Sequence, residues 1–305
     1  MTALFHYLEA SRLAYADRNR WVGDPRQVSV PLSGLLDPAF AAERRCLIGR
    51  TAGTSPVAPG NPFAPFTNCP AGAPAQASSA SPEAHHTNNI VTTDRYGDIV
   101  VYTNTINFFG GSGQVVPGYG FLLNDELTHF DFAPSSTSTP DPNLPAAGKQ
   151  PRSSMGPIIA LKGGKPQFAI GAAGGSTIIE TVVQTLINHV DFGMSLSDAL
   201  NAPRVSQTNS ATSTAEPNFY NSGLAHQLTS EYSEQFTLAT GPIQPLDSYP
   251  GDATALQVLP GGGAEAIAEA YRLGGGSALA LASKSGSEHS RRATHGHNHP
   301  EHRIT

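Results

Sequence analysis

Residues 51–86 separate two parts of the chain that have ordinary globular composition. This stretch reads TAGTSPVAPGNPFAPFTNCPAGAPAQASSASPEAHH and is rich in Pro, Ala, Ser and Gly. A segment of this composition buries too little apolar surface to offset the conformational entropy that it would lose on folding. We therefore predict a flexible linker at residues 51–86, which divides the chain into one unit at residues 1–50 and another at residues 87–282.

Charge and cysteine content exclude several classes of protein. The net charge is −6 and the isoelectric point about 6.0, whereas nucleic-acid binders are usually basic, so we expect no nucleic-acid partner. The chain has no run of 18 apolar residues and no secretory signal at its start. Two cysteines, Cys46 and Cys69, are too few for a disulfide framework or a four-ligand zinc site.

Hydrophobic patterning predicts mixed helices and strands, most densely in residues 87–282. Residues 177–190 place Ile, Val and Leu on one face at helical spacing, which predicts the clearest helix. The turn sequences RYGD and KGGK each separate two apolar runs and predict two β-hairpins. The pattern also predicts a helix reaching about Asn19, short helices beginning at Asp37 and Ser195, and late strands at 253–259 and 277–282.

The last 23 residues, 283–305, form a polar segment with five of the eleven histidines. We predict a disordered, solvated tail, and the alternative is that its imidazoles bind a divalent metal. No H-E-x-x-H, G-x-S-x-G or Walker-type motif occurs, so we predict neither a metal nor a cofactor for the chemistry.

Thr87 stands at the junction between the predicted linker and the first predicted strand. If the chain is cut before Thr87, this residue gains a free α-amine beside its hydroxyl, as in N-terminal threonine nucleophiles. Gly174 and Gly175 precede the helix at 177–190, where unsatisfied backbone N–H groups suit an oxyanion. A threonine that begins a strand is ordinarily only a strand residue, so the residues alone leave both interpretations open.

Within about residues 85–205 the chain contains five blocks: HTNNIVTTDRYGDIVVYTNTIN, GGSGQVVPGYGFLLNDELTHF, GKQPRSSMGPIIALKGGKP, GAAGGSTIIETVVQTLIN and DFGMSLSDALNAPR. They resemble successive blocks of the γ-glutamyltranspeptidase family, and they occur in the family's order. Residues 1–50, which include EASRLAYADRNRWVGDP, resemble the end of that family's large subunit. The resemblance implies an α/β (α+β) N-terminal-nucleophile hydrolase fold, a four-layer αββα sandwich that is incomplete at its N-terminal side.

The resemblance also implies an activity. The chain would be made as a precursor that cleaves itself between His86 and Thr87 and stays together as a processed heterodimer. Thr87 would then attack a γ-glutamyl amide such as glutathione, form a glutamyl ester, and pass the acyl group to water, an amino acid or a peptide. Family members carry several hundred residues before the nucleophile, and they are commonly periplasmic, secreted or on the cell surface.

Particular residues match the family's functional positions. Hydroxyl and N–H groups suit a carboxylate or an oxyanion, and a carboxylate suits an ammonium group. The resemblance implies that Thr105 bonds the nucleophile's hydroxyl, that Asn107 and Glu126 hold the substrate's α-amino and α-carboxylate groups, that Ser153 and Ser154 contact the α-carboxylate, and that the N–H groups of Gly174 and Gly175 form the oxyanion hole.

His129 stands where the family has an aspartate that pairs with the glutamyl α-ammonium. An imidazole loses the full negative charge of that aspartate. Three hypotheses follow: a γ-glutamyltransferase/hydrolase, which we favour; a related acylase of the cephalosporin or glutaryl type; or a non-catalytic remnant or partner-dependent subunit. The family's usual His two residues after the nucleophile is also replaced, by Asn89.

Overall fold

The computed structural model describes residues 1–67, 87–134, 140–239, 250–269, 272 and 276–281. None of the described helices is both long and apolar enough to cross a membrane. In chain order the elements are α1 (Thr2–Trp21), α2 (Leu32–Leu35), α3 (Pro38–Arg45), β1 (Thr87–Thr93), β2 (Ile99–Thr105), β3 (Ile158–Lys162), β4 (Lys165–Ala173), α4 (Ile178–Leu186), α5 (Leu196–Asn201), β5 (Val205–Ser206), β6 (Ser213–Ala215), α6 (Pro217–Tyr220), α7 (Gly223–Tyr232), β7 (Phe236–Leu238), β8 (Asp252–Val258) and β9 (Ala264–Ala268).

A four-stranded antiparallel sheet, in the order β3-β4-β8-β9, lies at the centre of the molecule. The last six residues of β4 are all buried, which is typical of a strand that is covered on both faces. On one face, Ile170 and Ala172 pack with Ile178 and Val182 of α4 and with Leu200 of α5 in the main hydrophobic core. These helices therefore form one layer and the sheet a second.

The hairpin of β1 and β2 covers the opposite face of this sheet. Gly171 lies between Ile170 and Ala172, so a side chain at this position would point toward the hairpin. The Asn89 side chain occupies that space and donates to Thr254 Oγ1 at 2.7 Å, while it accepts from Thr103 Oγ1 at 2.9 Å. One asparagine thus ties both strands of the hairpin to the central sheet.

Helix α1 packs on the second core rather than on the central sheet. Phe5 and Leu8 contact Val205, Phe219 and Leu228, which belong to the three-stranded sheet β5-β6-β7 and to α6 and α7. Charged side chains at this interface are buried in ion pairs, which offset the free-energy cost of removing each charge from water. The buried pairs that involve or adjoin α1 are Arg12 with Glu9 and Glu234, and Arg44 with Asp17.

Most predicted elements are confirmed by the structure. The helix at the N-terminus, both hairpins, the short helices capped by Asp37 and Ser195, and the strand near 253–259 are all present. The helix predicted at 177–190 is divided, because a 3₁₀ turn at Gly175–Thr177 precedes α4 and a π-helical turn at Ile187–Asp191 follows it.

The prediction of a strand at 277–282 is wrong for residues 277–281, which have no regular secondary structure. The last strand of the sheet is β9 instead, and a tight turn joins it to β8. Leu259 N donates to Gly263 O at 3.0 Å and closes that turn. The apolar pattern predicted a strand at 277–282. In the structure β8 pairs instead with β9, to which it is joined by a short turn.

Residues 51–67 of the predicted flexible linker have no helix or strand, but they are bonded to the rest of the structure. Buried charged side chains bind their backbone: Gly53 N donates to Glu9 Oε2 at 3.1 Å, and Gly60 N donates to Asp17 Oδ1 at 2.6 Å. Composition predicts apolar burial but not polar anchoring of this kind. Residues 68–86, which include His86, and the tail at 283–305 lie outside the described residues.

We expect Gly171→Ala to destabilise the fold. A Cβ at this position would lie 2.1 Å from Asn89 Oδ1 and force the hairpin away from the sheet. Overpacking of this kind costs about 1–3 kcal/mol in the free energy of unfolding, which denaturant titration measures. The matched control is Gly223→Ala at the start of α7, where a Cβ meets open space and no loss of stability is expected. Equal stability of the two variants would contradict the placement of the Asn89 side chain against Gly171.

Candidate active site

Thr87 is the first residue of β1 and pairs with Thr105, the last residue of β2. The Thr87 hydroxyl donates to Thr105 Oγ1 at 3.1 Å. The backbone N–H of Asn107 also donates to Thr105 Oγ1, at 2.9 Å. The antiparallel register therefore brings a hydroxyl pair to the open end of the hairpin, and the first bend after β2 fixes the orientation of that pair.

Asn107 has a left-handed backbone conformation with φ of 72° and is 1% exposed. Asparagine tolerates this conformation better than most other residues. Its Nδ2 donates to Thr128 Oγ1 at 2.5 Å, which ties the end of the hairpin to a 3₁₀ turn at Glu126–His129. Its Oδ1 is buried and has no hydrogen-bond partner among the described residues, so the site contains one unsatisfied hydrogen-bond acceptor.

The turn at Glu126–His129 brings two sequence-predicted residues together. His129 Nδ1 lies 2.8 Å from Glu126 Oε1, and the Glu126 side chain is about one third exposed whereas the imidazole is nearly buried. A protonated imidazole would neutralise the carboxylate at this distance. The pair is therefore less negative than the two carboxylates that the family pattern would place here.

Asn143 links this turn to the Ser153–Ser154 segment. Its side chain is fully buried, donates to His129 O at 2.8 Å and to Asp131 Oδ2 at 3.1 Å, and accepts from Arg152 N at 2.8 Å. An asparagine amide supplies both donors and an acceptor, which this position requires. Hydrogen bonds and the short covalent links between them thus connect Thr87 to the residue that precedes Ser153.

The two serines differ in exposure and in partner. Ser153 is exposed and its Oγ accepts from Met155 N at 3.2 Å. Ser154 is buried, and its Oγ accepts from Arg18 Nη2 of α1 at 2.5 Å. Both hydroxyl oxygens are therefore acceptors toward the protein.

Gly174 and Gly175 follow β4 directly and begin a 3₁₀ turn. Gly174 has φ of 140°, and a Cβ there would lie 2.6 Å from the Cα of Gly251. The turn is closed by Thr177, whose N and Oγ1 donate to Gly174 O at 3.2 and 2.8 Å. Only glycine fits at position 174, because a side chain there would collide with the backbone of Gly251.

A buried carboxyl group adjoins this turn. Asp252 pairs with Ala173 in the sheet, immediately before Gly174. Burial, and then the nearby carboxylate of Glu269, raise the pKa of Asp252 to about 7. The described residues hold no group of three or more His, Cys, Asp or Glu side chains placed to bind a metal.

Sequence reasoning missed Asn143 and Arg18. No motif marks Asn143, because its partners come from segments that are distant in sequence. Arg18 lies in the block ADRNR, which carries the resemblance to the large subunit, but its contact with Ser154 spans 136 positions. Only the packing of α1 beside the serine segment reveals this pairing.

Comparison with known proteins gives consistent matches. The γ-glutamyltranspeptidase family model matches residues 1–279. The glutathione hydrolase proenzyme of Bacillus subtilis (strain 168) is 38% identical over 205 residues, which are 67% of this chain and 34% of that protein. The chain thus spans about a third of the length of the curated relatives that it matches.

Solved structures agree with this result. A crystal structure of the T380A mutant of γ-glutamyltranspeptidase from Helicobacter pylori matches with a TM-score of 0.51 and 33% identity, covering 59% of this chain and 97% of that chain. The crystal structure of cephalosporin acylase from Bacillus halodurans matches with a TM-score of 0.68 and 25% identity, covering 87% of this chain and 42% of that chain.

We expect Asn143→Leu to lower the free energy of unfolding by at least about 2 kcal/mol, because it leaves buried donors and acceptors unpaired. Thermal and denaturant unfolding measure this loss. Asn218→Leu, at an exposed position of α6, is the matched control and should change stability by less than about 0.5 kcal/mol. A variant at position 143 as stable as this control would show that the amide does not hold the two segments together.

Proposed function

The chain belongs to the γ-glutamyltranspeptidase family, and from this premise we propose that it is a γ-glutamyltransferase/glutathione hydrolase with Thr87 as its nucleophile. The α+β N-terminal-nucleophile hydrolase fold predicted from the sequence is confirmed by the match to solved structures of this family and of an acylase. The observation that carries the proposal is the bonded series of Thr87 Oγ1, Thr105 Oγ1 and Asn107 N, which holds one threonine hydroxyl in a fixed orientation.

The proposed chemistry begins with cleavage of the peptide bond between His86 and Thr87: the Thr87 hydroxyl attacks the His86 carbonyl, the peptide nitrogen leaves as the α-amine of Thr87, and water hydrolyses the resulting ester. The new α-amine of Thr87 takes the proton of its own hydroxyl as Oγ1 attacks the γ-glutamyl carbonyl. That proton passes to the leaving amine, and a glutamyl ester remains on Thr87. Water or an acceptor amine then attacks the ester and restores the hydroxyl. Thr105 orients the nucleophile, and the N–H groups of Gly174 and Gly175 stabilise the oxyanion.

Substrate recognition is proposed to divide between two segments. The buried Oδ1 of Asn107 is an acceptor without a described partner, which supports a bond from the substrate's α-ammonium, with Glu126 as the second acceptor. Ser153 and Ser154 would donate to the α-carboxylate. Glutathione and related γ-glutamyl amides carry both groups, so they are the proposed acyl donors.

Contacts between the two proposed fragments support a processed heterodimer. Arg12 in the first fragment pairs with Glu234 in the second at 3.2 Å, and both side chains are buried. Tyr7 OH donates to Glu180 O at 3.2 Å, and Val57 N donates to Asn209 Oδ1 at 2.7 Å. None of these bonds depends on the peptide bond before Thr87, so the fragments would stay associated after cleavage.

A second candidate function is an acylase whose acyl group lacks an α-amine, such as a glutaryl group. The 2.8 Å contact between His129 and Glu126 favours it, because an imidazolium would cancel the charge that attracts an ammonium. The likeness to the cephalosporin acylase structure agrees with this candidate. The two candidates share the nucleophile and differ only in the acyl group.

We expect the purified chain to separate into two fragments that divide between His86 and Thr87. Thr87→Ala should abolish this cleavage, because alanine has no hydroxyl to attack the preceding carbonyl, while Thr87→Ser should retain it at a lower rate. Intact-mass spectrometry over time measures the products. Thr92→Ala, an exposed threonine of the same strand, is the control and should be cleaved like the parent. An uncleaved parent chain would favour a non-catalytic or partner-dependent role.

We expect His129→Asp to raise kcat/KM for a γ-glutamyl anilide about tenfold relative to a glutaryl anilide, since a restored negative charge attracts the α-ammonium. Release of the aniline chromophore measures both rates. His226→Asp makes the same substitution at an exposed position on α7 and should leave the ratio unchanged. An unchanged ratio in His129→Asp would contradict the electrostatic role of this position. A parent enzyme that prefers the glutaryl anilide would favour the acylase.

A further inference from the structure

Helix α1 carries two polar side chains that reach the two substrate-facing segments described above. Tyr15 and Arg18 are three positions apart, so they lie on the same side of the helix. The Arg18 guanidinium carbon is 5.9 Å from the centroid of the Tyr15 ring.

Arg18 contacts both serines of the Ser153–Ser154 segment. Its Nη2 donates to Ser154 Oγ at 2.5 Å and to Ser153 O at 3.3 Å. An arginine N–H can only donate, so Ser154 Oγ accepts and the Ser154 hydroxyl proton must point away from the guanidinium. The Ser153 hydroxyl is oriented in the same way by the N–H of Met155.

This arrangement has a consequence for anion binding. A serine hydroxyl can donate or accept, and a carboxylate needs donors only. Donors from the protein occupy an acceptor position on both hydroxyl oxygens, so a bound carboxylate would meet each hydroxyl as a donor. A donated bond from a charged guanidinium also polarises the Ser154 hydroxyl and strengthens the next bond in the series.

Tyr15 acts on the second segment. It is buried, and its hydroxyl donates to Ser176 O at 2.5 Å. Ser176 lies in the 3₁₀ turn that begins at Gly175, so this bond anchors the turn in which the N–H groups of Gly174 and Gly175 lie. Arg18 and Tyr15 therefore hold two separate segments against one helix.

We propose that Arg18 and Tyr15 are positioning residues: Arg18 orients the Ser154 hydroxyl toward the substrate's carboxylate, and Tyr15 fixes the turn that carries the oxyanion N–H groups. This inference rests on the proposed function for the assignment of those segments to substrate. Both residues precede the proposed cleavage site, so the first fragment would set the geometry of a site whose substrate contacts lie in the second.

The test of Arg18 is binding of three small ligands to the full chain by isothermal titration calorimetry. Glutamate has an α-amine and an α-carboxylate, glutarate lacks the amine, and 4-aminobutanoate lacks the α-carboxylate. We expect Arg18→Met to weaken glutamate and glutarate about tenfold or more, as for a hydrogen bond to a charged group, and to leave 4-aminobutanoate unchanged. Arg18→Lys, which keeps a donor, should recover part of the affinity.

Two further variants make this result specific. In Ser154→Ala, addition of Arg18→Met should cause no further weakening, because Arg18 acts through the Ser154 hydroxyl. Arg45→Met removes the same charge from an exposed position on α3 and should bind all three ligands like the parent. Equal weakening of all three ligands in Arg18→Met, or full additivity with Ser154→Ala, would overturn the proposal.

Tyr15 is tested by turnover. Tyr15→Phe keeps the ring and loses the bond to Ser176, so we expect kcat for anilide hydrolysis to fall about tenfold with KM and glutarate affinity unchanged. An unchanged kcat would overturn the role of Tyr15.

The ligand set separates failure of the inference from failure of the proposed function. A parent chain that binds glutarate but not glutamate would contradict the γ-glutamyl proposal. The role of Arg18 would still be tested, by comparing the glutarate affinity of the parent with that of Arg18→Met. A parent chain that binds none of the three ligands would overturn both.

Discussion

The side chain of Asn89 occupies the space above Gly171, and the position of the proposed nucleophile depends on this contact. Asn89 binds Thr254 of the central sheet and Thr103 of the neighbouring strand, so it fixes how the hairpin lies on the sheet. Thr87 is two residues away on the same strand. Because side chains alternate between the two faces of a strand, Thr87 lies on the same face of the hairpin as Asn89, which is the face toward the sheet.

Polar tethers organise the rest of the site. Asn143 joins the turn at Glu126–His129 to the serine segment, and Arg18 and Tyr15 hold the serine segment and the glycine turn against α1. One of these bonds is buried and the other three are partly buried, and buried polar groups are specific because each must find a matching partner. The site is therefore assembled from loops whose geometry depends on a few amide, guanidinium and hydroxyl groups rather than on apolar packing.

The sequence predicted the individual elements well where local signals are strong. The turn sequences RYGD and KGGK gave the correct hairpins, and the caps at Asp37 and Ser195 gave the correct helix starts. It did not predict that Glu9 and Asp17 bind the backbone of residues 51–67 from a distant helix, since composition there indicated only a flexible linker. The predicted strand at 277–282 is wrong for a different reason, since β9 pairs with β8 across a short turn and is the last described strand of the sheet.

By itself, the sequence determined the family, the fold class and the candidate nucleophile, because five ordered blocks carry the resemblance and a threonine stands where a strand begins. Only the tertiary structure decided that Thr87 bonds Thr105, that His129 lies 2.8 Å from Glu126, and that Arg18 reaches Ser154. Local patterns encode the periodicity and the turns of single elements. Contacts such as that of Arg18 with Ser154 join residues 136 positions apart, and no local pattern records which distant side chains meet when the layers pack.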